Sequence, residues 1–228
     1  MRWTLGLAMV LFGVMVASCG GSSASSTPTP RPAVEPTIST TPVAIGTSTD
    51  AALAAGLLTA ADLGAGWTQQ PTQDSTVAET YYCGTKVPAP PVAAVAFFAN
   101  DEQGQAIFEG LSRLPDADAA SSFARSVRAA HDNCTDWIST DGSARTEWHT
   151  DSFGPVDLGD EATVEQATMV SGTGTSYMFL IRKGDVLLSF ATIGPEATGA
   201  GADNARIDAT TRAHQAYDKL AAAVDASR

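Results

Sequence analysis

Positive charge, histidine and cysteine are all scarce in this sequence. Lysine and arginine number 13 against 25 aspartates and glutamates, which gives a net charge of −12 at pH 7. An acidic protein repels phosphate backbones, so we expect no nucleic-acid partner. It also lacks the positive charge that holds anionic lipid, so any attachment to a membrane has to depend on apolar groups.

Sequence motifs for catalysis and zinc binding are also missing. None of the three histidines, His131, His149 and His214, has a second histidine at zinc-ligand spacing. The sequence contains no Gly-x-Ser-x-Gly elbow, no Ser-x-x-Lys pair, no P-loop and no Cys-x-x-Cys pair. We therefore predict a protein that is not an enzyme and carries no cofactor or metal. A hydrolase whose site assembles only in three dimensions is left open.

One cluster of acidic residues has the carboxylate groups that could hold a calcium ion. Its members are Asp151, Asp157, Asp160 and Glu161. Their spacing is not that of an EF-hand loop. We interpret the cluster as a solvated, charged loop.

The N-terminus has the pattern of a secretion signal. An apolar run over residues 3–16 follows Arg2 and is shorter than the roughly 20 residues that span a bilayer. Small residues then precede Cys19, and a cysteine at this junction is typical of bacterial lipoproteins. We predict a lipoprotein signal peptide over 1–18, lipidation of Cys19 and attachment to the extracytoplasmic face of the cell membrane. The alternative is an ordinary cleaved signal with Cys19 unmodified.

Residues 19–49 are predicted to be a disordered tether. They consist largely of serine, threonine, proline, glycine and alanine, as in the stretch 25–32. Too few apolar residues are present to offset the entropy of ordering the chain, and the prolines favour extended geometry. The remaining residues, 50–228, have the size of one domain.

The domain has the pattern of an α+β fold. Thr59 and Asp62 have capping-box spacing in a short helix over 57–63, and apolar residues at helical spacing predict helices from about 116 to 133 and from 203 to 224. Predicted strands cover 76–82, 92–98, 105–114, 145–150, 161–170, 176–182 and 186–193.

Short turns join most of these strands, which therefore pair antiparallel. Strands 176–182 and 186–193 are apolar at nearly every position, so we place them at the centre of the sheet, covered on at least part of both faces. Phe153-Gly154-Pro155 is expected to break the strand before it. The prediction is a central antiparallel β-sheet with two main helices packed on it, both on one face.

The cysteines other than Cys19 are predicted to form a disulfide. If Cys19 carries lipid, only Cys83 and Cys134 remain, and an exported protein meets an oxidising environment. Because the closed loop is about 50 residues long, the bridge would contribute on the order of 4 kcal/mol. A redox or metal site is the alternative, and no neighbouring ligand motif favours it.

Two tryptophans mark a candidate ligand groove. Trp137 and Trp148 flank the polar stretch 139–145. Aromatic rings on either side of polar residues can line a groove. The alternative is that both are core or edge residues.

Several segments together resemble a known family. They are the stretch 57–63, the strand around Phe108-Glu109-Gly110 with the helix that ends before Cys134, and the hairpin 179–188 with the alanine-rich helix after it. These resemble the PknH-like extracellular sensor domain of actinobacterial receptor kinases and lipoproteins. The resemblance implies an α+β domain with a ligand-sized cleft and a sensing role. That family typically has two disulfides and this chain has cysteines for one, so no binding residue is carried over.

The preferred interpretation is a lipid-anchored, non-enzymatic, monomeric envelope domain. Its ligand would be a small molecule, lipid, glycan or protein. The hydrolase and a protein-interaction scaffold without a pocket are the alternatives. A pocket with convergent polar groups would support ligand binding, and an exposed apolar patch would support the scaffold.

The lipid anchor is tested by the intact mass of the mature protein. We expect a chain that begins at Cys19 and is heavier than its polypeptide by a diacylglyceryl group and an amide-linked acyl chain. The Cys19→Ala variant should lose this mass and leave the membrane fraction. An unmodified N-terminus at Cys19 in the wild type would contradict the prediction.

Overall fold

The computed structural model describes residues 50–71, 79–83, 85–87, 90, 92–132, 134–141, 144–170, 174–195 and 200–227. The predicted signal peptide, Cys19 and the tether lie outside these residues and stay predictions. The same holds for residues 76–78 of the first predicted strand.

The described residues form four helices and one sheet of ten strands. The helices are α1 (Ala51–Ala54), α2 (Ala60–Leu63), α3 (Ala117–His131) and α4 (Ala200–Ala226). The strands are β1 (Thr68–Gln70), β2 (Glu79–Tyr82), β3 (Thr85–Val87), β4 (Val92–Asn100), β5 (Gln105–Arg113), β6 (Asp136–Asp141), β7 (Ala144–Pro155), β8 (Glu161–Met169), β9 (Gly174–Lys183) and β10 (Val186–Pro195).

The sheet is antiparallel throughout, with the order β1-β4-β5-β10-β9-β8-β7-β6-β2-β3. The predicted α+β class is therefore confirmed. The β9–β10 hairpin lies at its centre, as predicted. Gly184 in the turn has φ of 61°, a conformation that glycine adopts without steric cost.

The helices cover both faces of the central strands, as the apolar pattern of those strands predicted, whereas the expectation that both main helices lie on one face is wrong. Helix α4 packs with α1 and α2 on the face that carries Leu188 and Phe179. Helix α3 lies on the opposite face, where His131 contacts Glu165 and Ala130 packs beside Ala167. The central strands are apolar on both sides because each side meets a helix.

The capping box of α2 is confirmed. The Thr59 hydroxyl accepts a hydrogen bond from the Asp62 amide at 3.3 Å, and the Asp62 carboxylate accepts one from the Thr59 amide at 2.7 Å. Lys219 of α4 also reaches that carboxylate at 2.6 Å. The bond from Lys219 and those from Thr59 lower the pKa of Asp62 to about 2. The cap therefore also fastens α2 to α4.

Strand β7 is longer than predicted. It continues through Phe153-Gly154-Pro155 to pair with β8, with a register shift between Thr150 and Ser152. Pro155 is the last residue of the strand, where a missing N–H costs little. This register shift is a β-bulge, which bends the strand so that both halves of β7 stay paired in the sheet.

Three strands were not predicted. Strand β6 contains Trp137 and is held between β2 and β7. Strands β1 and β3 lie at the two edges of the sheet, where β1 pairs with β4 and β3 pairs with β2. All three are short, so their strand conformation comes from pairing with neighbours rather than from local pattern.

The predicted disulfide joins Cys83 and Cys134, whose Cα atoms are 5.8 Å apart. Cys83 directly follows β2 and Cys134 lies just beyond α3. The bridge therefore ties the β2–β3 edge of the sheet to the end of a helix.

Removing this bridge should destabilise the domain. We expect the Cys83→Ala/Cys134→Ala double variant to lose about 4 kcal/mol of unfolding free energy, because its unfolded chain is no longer restricted by a closed loop of 51 residues. Urea denaturation measures the loss, and wild-type protein treated with dithiothreitol should match the variant. An unchanged midpoint in both would contradict the prediction.

Candidate ligand-binding site

A cleft of about 620 Å³ lies between the N-terminal half of α4 and the ends of β5, β9 and β10. We call it the α4 cleft. On the strand side it is lined by Ala106, Ile107, Ile193 and Pro195, with the side chains of Ala106 and Ile193 on the opposite face of the sheet from that of Ile107. The helix wall carries Asn204, Ala205, Asp208 and Arg212, and Trp67 closes one side. The volume is in the range of small-molecule sites.

Sheet register aims one set of strand side chains into the cleft. Thr192 of β10 pairs with Tyr177 of β9 and with Ile107 of β5, so all three project from the same face. Thr175 pairs with Gly194 two residues further along. This is the face that α4 covers, and the cleft forms where α4 and the strands separate.

The charged groups of the cleft are bound to each other. Arg212 Nε donates to Asp208 at 2.8 Å, one helical turn away on α4. The guanidinium carbon of Arg212 also lies 5.0 Å from the centre of the Trp67 ring. Trp67 is buried. The arrangement fixes Arg212 by an ion pair on one side and a cation–π contact on the other.

Tyr177 connects the strand wall to the start of α4. Its hydroxyl donates to the carbonyl oxygen of Ala202 at 3.2 Å. Burial raises the pKa of Tyr177 above its ordinary value. The phenol therefore stays protonated and continues to donate at physiological pH.

Five polar side chains in the cleft make no side-chain hydrogen bond to another described residue. They are Gln103, Gln105, Thr175, Thr192 and Asn204. Thr175 is only 8% exposed. Their hydrogen-bonding capacity is available to a ligand, and several polar groups around one cleft are a feature of binding sites.

Trp137 and Trp148 lie elsewhere, in a buried cluster on the α3 face of the sheet. Their rings stack on each other with centroids 5.4 Å apart and an interplanar angle of 14°. Trp148 Nε1 donates to the Ser139 hydroxyl at 3.0 Å. Neither residue lines the α4 cleft. The groove predicted between them stays a prediction.

The Trp137 indole also belongs to a buried polar network centred on Glu165. The Glu165 carboxylate is 2.9 Å from His131 Nε2 and accepts a hydrogen bond from Trp137 Nε1 at 2.8 Å. Thr150 donates to the same carboxylate. The His131 ring stacks on Phe153 with centroids 4.3 Å apart. These groups are buried, so the network holds α3 against the sheet and is closed to a substrate.

The other histidine beside a carboxylate is exposed. His149 Nδ1 lies 2.8 Å from Asp136, and that hydrogen bond raises the pKa of His149 above its ordinary value. No hydroxyl or thiol of a described residue hydrogen-bonds to His149, so the pair has an orienting carboxylate but no nucleophile.

Three members of the acidic cluster are bound to other side chains of this chain. Asp160 and Glu161 both bind the guanidinium of Arg182, at 3.4 and 3.5 Å, and Asp151 accepts a hydrogen bond from Thr168 at 2.6 Å. Among the described residues no group of acidic, histidine or cysteine side chains is arranged to hold a metal ion. In the same part of the chain, no helix has the length and apolarity needed to cross a membrane.

Glu109 is a buried carboxylate that the sequence pattern did not reveal. It lies on β5, flanked by Ala96 and Phe190, and is 0% exposed. Its Oε2 accepts a hydrogen bond from the Leu58 amide at 2.8 Å, just before α2, whereas Oε1 has no partner among the described residues. Burial raises the pKa of Glu109 to about 7.

No protein-family model and no curated protein matches the sequence. Among solved structures, the crystal structure of the extracellular domain of PknH from Mycobacterium tuberculosis is similar, with a TM-score of 0.50 and 16% sequence identity. The match covers 76% of this chain and 94% of that chain. At this low identity the structural match shows a shared fold and no more. It confirms the resemblance in fold that was inferred from the sequence motifs.

Glu109 should make the stability of the domain depend on pH. Because burial raises its pKa from 4.5 to about 7, the folded state keeps its proton where the unfolded state has lost it. Stability should therefore fall by up to about 3 kcal/mol as the pH rises from 4.5 to 7, and change little from this cause above pH 7. In the Glu109→Gln variant this part of the pH dependence should disappear.

Urea denaturation at pH 5 and pH 8 measures the effect. The unfolding free energy of each variant is compared with its own value at the other pH. Any pH-independent loss of stability from burying the amide introduced by Glu109→Gln therefore cancels. Glu102→Gln, a substitution at an exposed residue, is the matched control and should keep the wild-type pH dependence. Equal pH dependence in Glu109→Gln and wild type would show that Glu109 is ionised throughout.

Proposed function

We propose that this chain is a lipid-anchored, extracytoplasmic domain that binds a small ligand in the α4 cleft and acts as a sensor rather than as an enzyme. The single observation that carries the proposal is the set of five uncommitted polar side chains that line the cleft. Groups of this kind fix the orientation of a ligand.

The extracytoplasmic location is supported by three independent features. The N-terminus has the pattern of a lipoprotein signal with Cys19 at the cleavage point. The domain contains a disulfide, which is stable in oxidising compartments. The fold is shared with a domain described as extracellular. A tether over 19–49 would allow the domain to stand away from the membrane.

A sensing role without catalysis is supported by the surroundings of the histidines. His131 is buried in the Glu165 network, and His149 is hydrogen-bonded to a carboxylate, while the hydroxyl of Thr168 across from it on β8 donates to Asp151 instead. The charged pair in the cleft, Asp208 and Arg212, is bound to itself and lies on a helix without a nucleophile against it. These groups suit ligand recognition better than acid–base chemistry.

Filling the cleft should abolish ligand binding. The Asn204→Trp variant places an indole on the exposed helix wall, whereas Thr211→Trp places the same side chain on an exposed position of α4 that does not line the cleft. The probe is an aqueous extract of a bacterial cell envelope, added to the ¹⁵N-labelled mature chain (residues 19–228, Cys19→Ala).

We expect the extract to shift amide resonances of cleft residues such as Ile107 and Ile193 in the wild type and in Thr211→Trp. The same shifts should be absent, or at least tenfold weaker, in Asn204→Trp. Shifts that persist unchanged in Asn204→Trp, or an extract that moves no cleft resonance in any variant, would count against the proposed function.

A further inference from the structure

The free hydrogen-bonding groups of the α4 cleft are all uncharged. Gln103, Gln105 and Asn204 present carboxamides, and Thr175 and Thr192 present hydroxyls. Each of these groups can both donate and accept a hydrogen bond. A matching ligand therefore has several neutral groups that also donate and accept.

The charged groups of the cleft do not favour a charged ligand. Asp208 and Arg212 neutralise each other at 2.8 Å, and the guanidinium is held over Trp67. An anion would approach a protein of net charge −12, and it would meet an Arg212 whose charge is already partly balanced by Asp208. A cation that competed for Asp208 would leave Arg212 without its partner.

A purely apolar ligand is also a poor match. It would cover Thr175, which is already almost buried, and the neighbouring carboxamides without offering them a partner. Polar groups that lose water and gain no hydrogen bond weaken binding. Ile107 is 0% exposed, and the side chains of Ala106 and Ile193 lie on the other face of the sheet, so the strands offer little apolar surface to an acyl chain.

From this chemistry we infer that the α4 cleft recognises an uncharged saccharide. Sugar hydroxyls and N-acetyl groups donate and accept as carboxamides and hydroxyls do, so they match the five free side chains of the cleft. The inference rests on the proposed function, since it names the ligand class of the same cleft. Bonds from Asn204 on the helix and Gln105 on β5 would hold the sugar from both walls.

Four probes separate the ligand classes. The neutral trisaccharides are maltotriose and tri-N-acetylglucosamine, the anionic trisaccharide is tri-galacturonic acid, and dodecanoate represents the apolar ligands. Each is titrated into the ¹⁵N-labelled mature chain (residues 19–228, Cys19→Ala), and the dissociation constant is taken from the amide shifts of cleft residues. We expect saturable shifts at Ile107, Thr192 and Ile193 with at least one neutral trisaccharide, and none with the other two probes.

Isosteric variants test whether the carboxamides carry recognition. Asn204→Asp and Gln105→Glu keep the shape of each side chain, remove its donors and add a negative charge. Each should weaken binding of the neutral trisaccharide by about tenfold, the effect of losing one hydrogen bond. Gln69→Glu makes the same change at an exposed position of β1 outside the cleft, and should bind as the wild type does.

The possible outcomes distinguish the ligand class from the proposed function. Cleft shifts with only dodecanoate or tri-galacturonic acid would overturn the saccharide inference and leave ligand binding in the cleft intact. Failure of all four probes, or equal affinity of the two cleft variants and Gln69→Glu, would also overturn it. The proposed function is judged separately, by whether the envelope extract shifts cleft resonances that Asn204→Trp loses.

Discussion

Burial of the β9–β10 hairpin on both of its faces is the constraint on which the rest of the structure depends. Leu188 and Phe190 pack under α4, while Leu187 of the same strand is buried on the side of α3. A strand buried on both faces has to be central, so β5 and β8 pair on either side of the hairpin and the remaining strands extend the sheet outwards.

Each face of this central region also holds a buried carboxylate, and the two differ in how many hydrogen bonds they accept. Glu165 on the α3 face receives hydrogen bonds from several side chains, including Trp137 and Thr150. Glu109 on the α4 face receives one, from the Leu58 amide. A satisfied buried carboxylate fixes neighbouring elements, whereas an under-satisfied one favours its protonated form. The first therefore stabilises the position of α3, and the second makes the attachment of the α2 region sensitive to pH.

The α4 cleft follows from the way α4 covers the sheet. Along the C-terminal half of the helix, Leu220 and Val224 are buried in the core. Toward its N-terminus the strand wall carries threonines instead of large apolar residues, and the helix presents Asn204 and Asp208. Close packing gives way there to a polar opening, while the sheet beneath remains rigid. A binding site built on such strands is held in place by the same hydrogen bonds that hold the core.

Local sequence patterns are enough to predict the short-range structure of the chain and the chemical groups that it carries. The α2 capping box, the β9–β10 hairpin, the long helices and the single disulfide are each encoded by nearby residues or by the small number of cysteines. The tertiary structure alone decided which face α3 covers, that β6 is a strand, and that Glu109 and Glu165 are buried. It also brought Gln105, Thr175 and Asn204 to one cleft from three distant parts of the chain. Strand pairing and side-chain burial depend on residues that are distant in sequence, so a local pattern does not predict them.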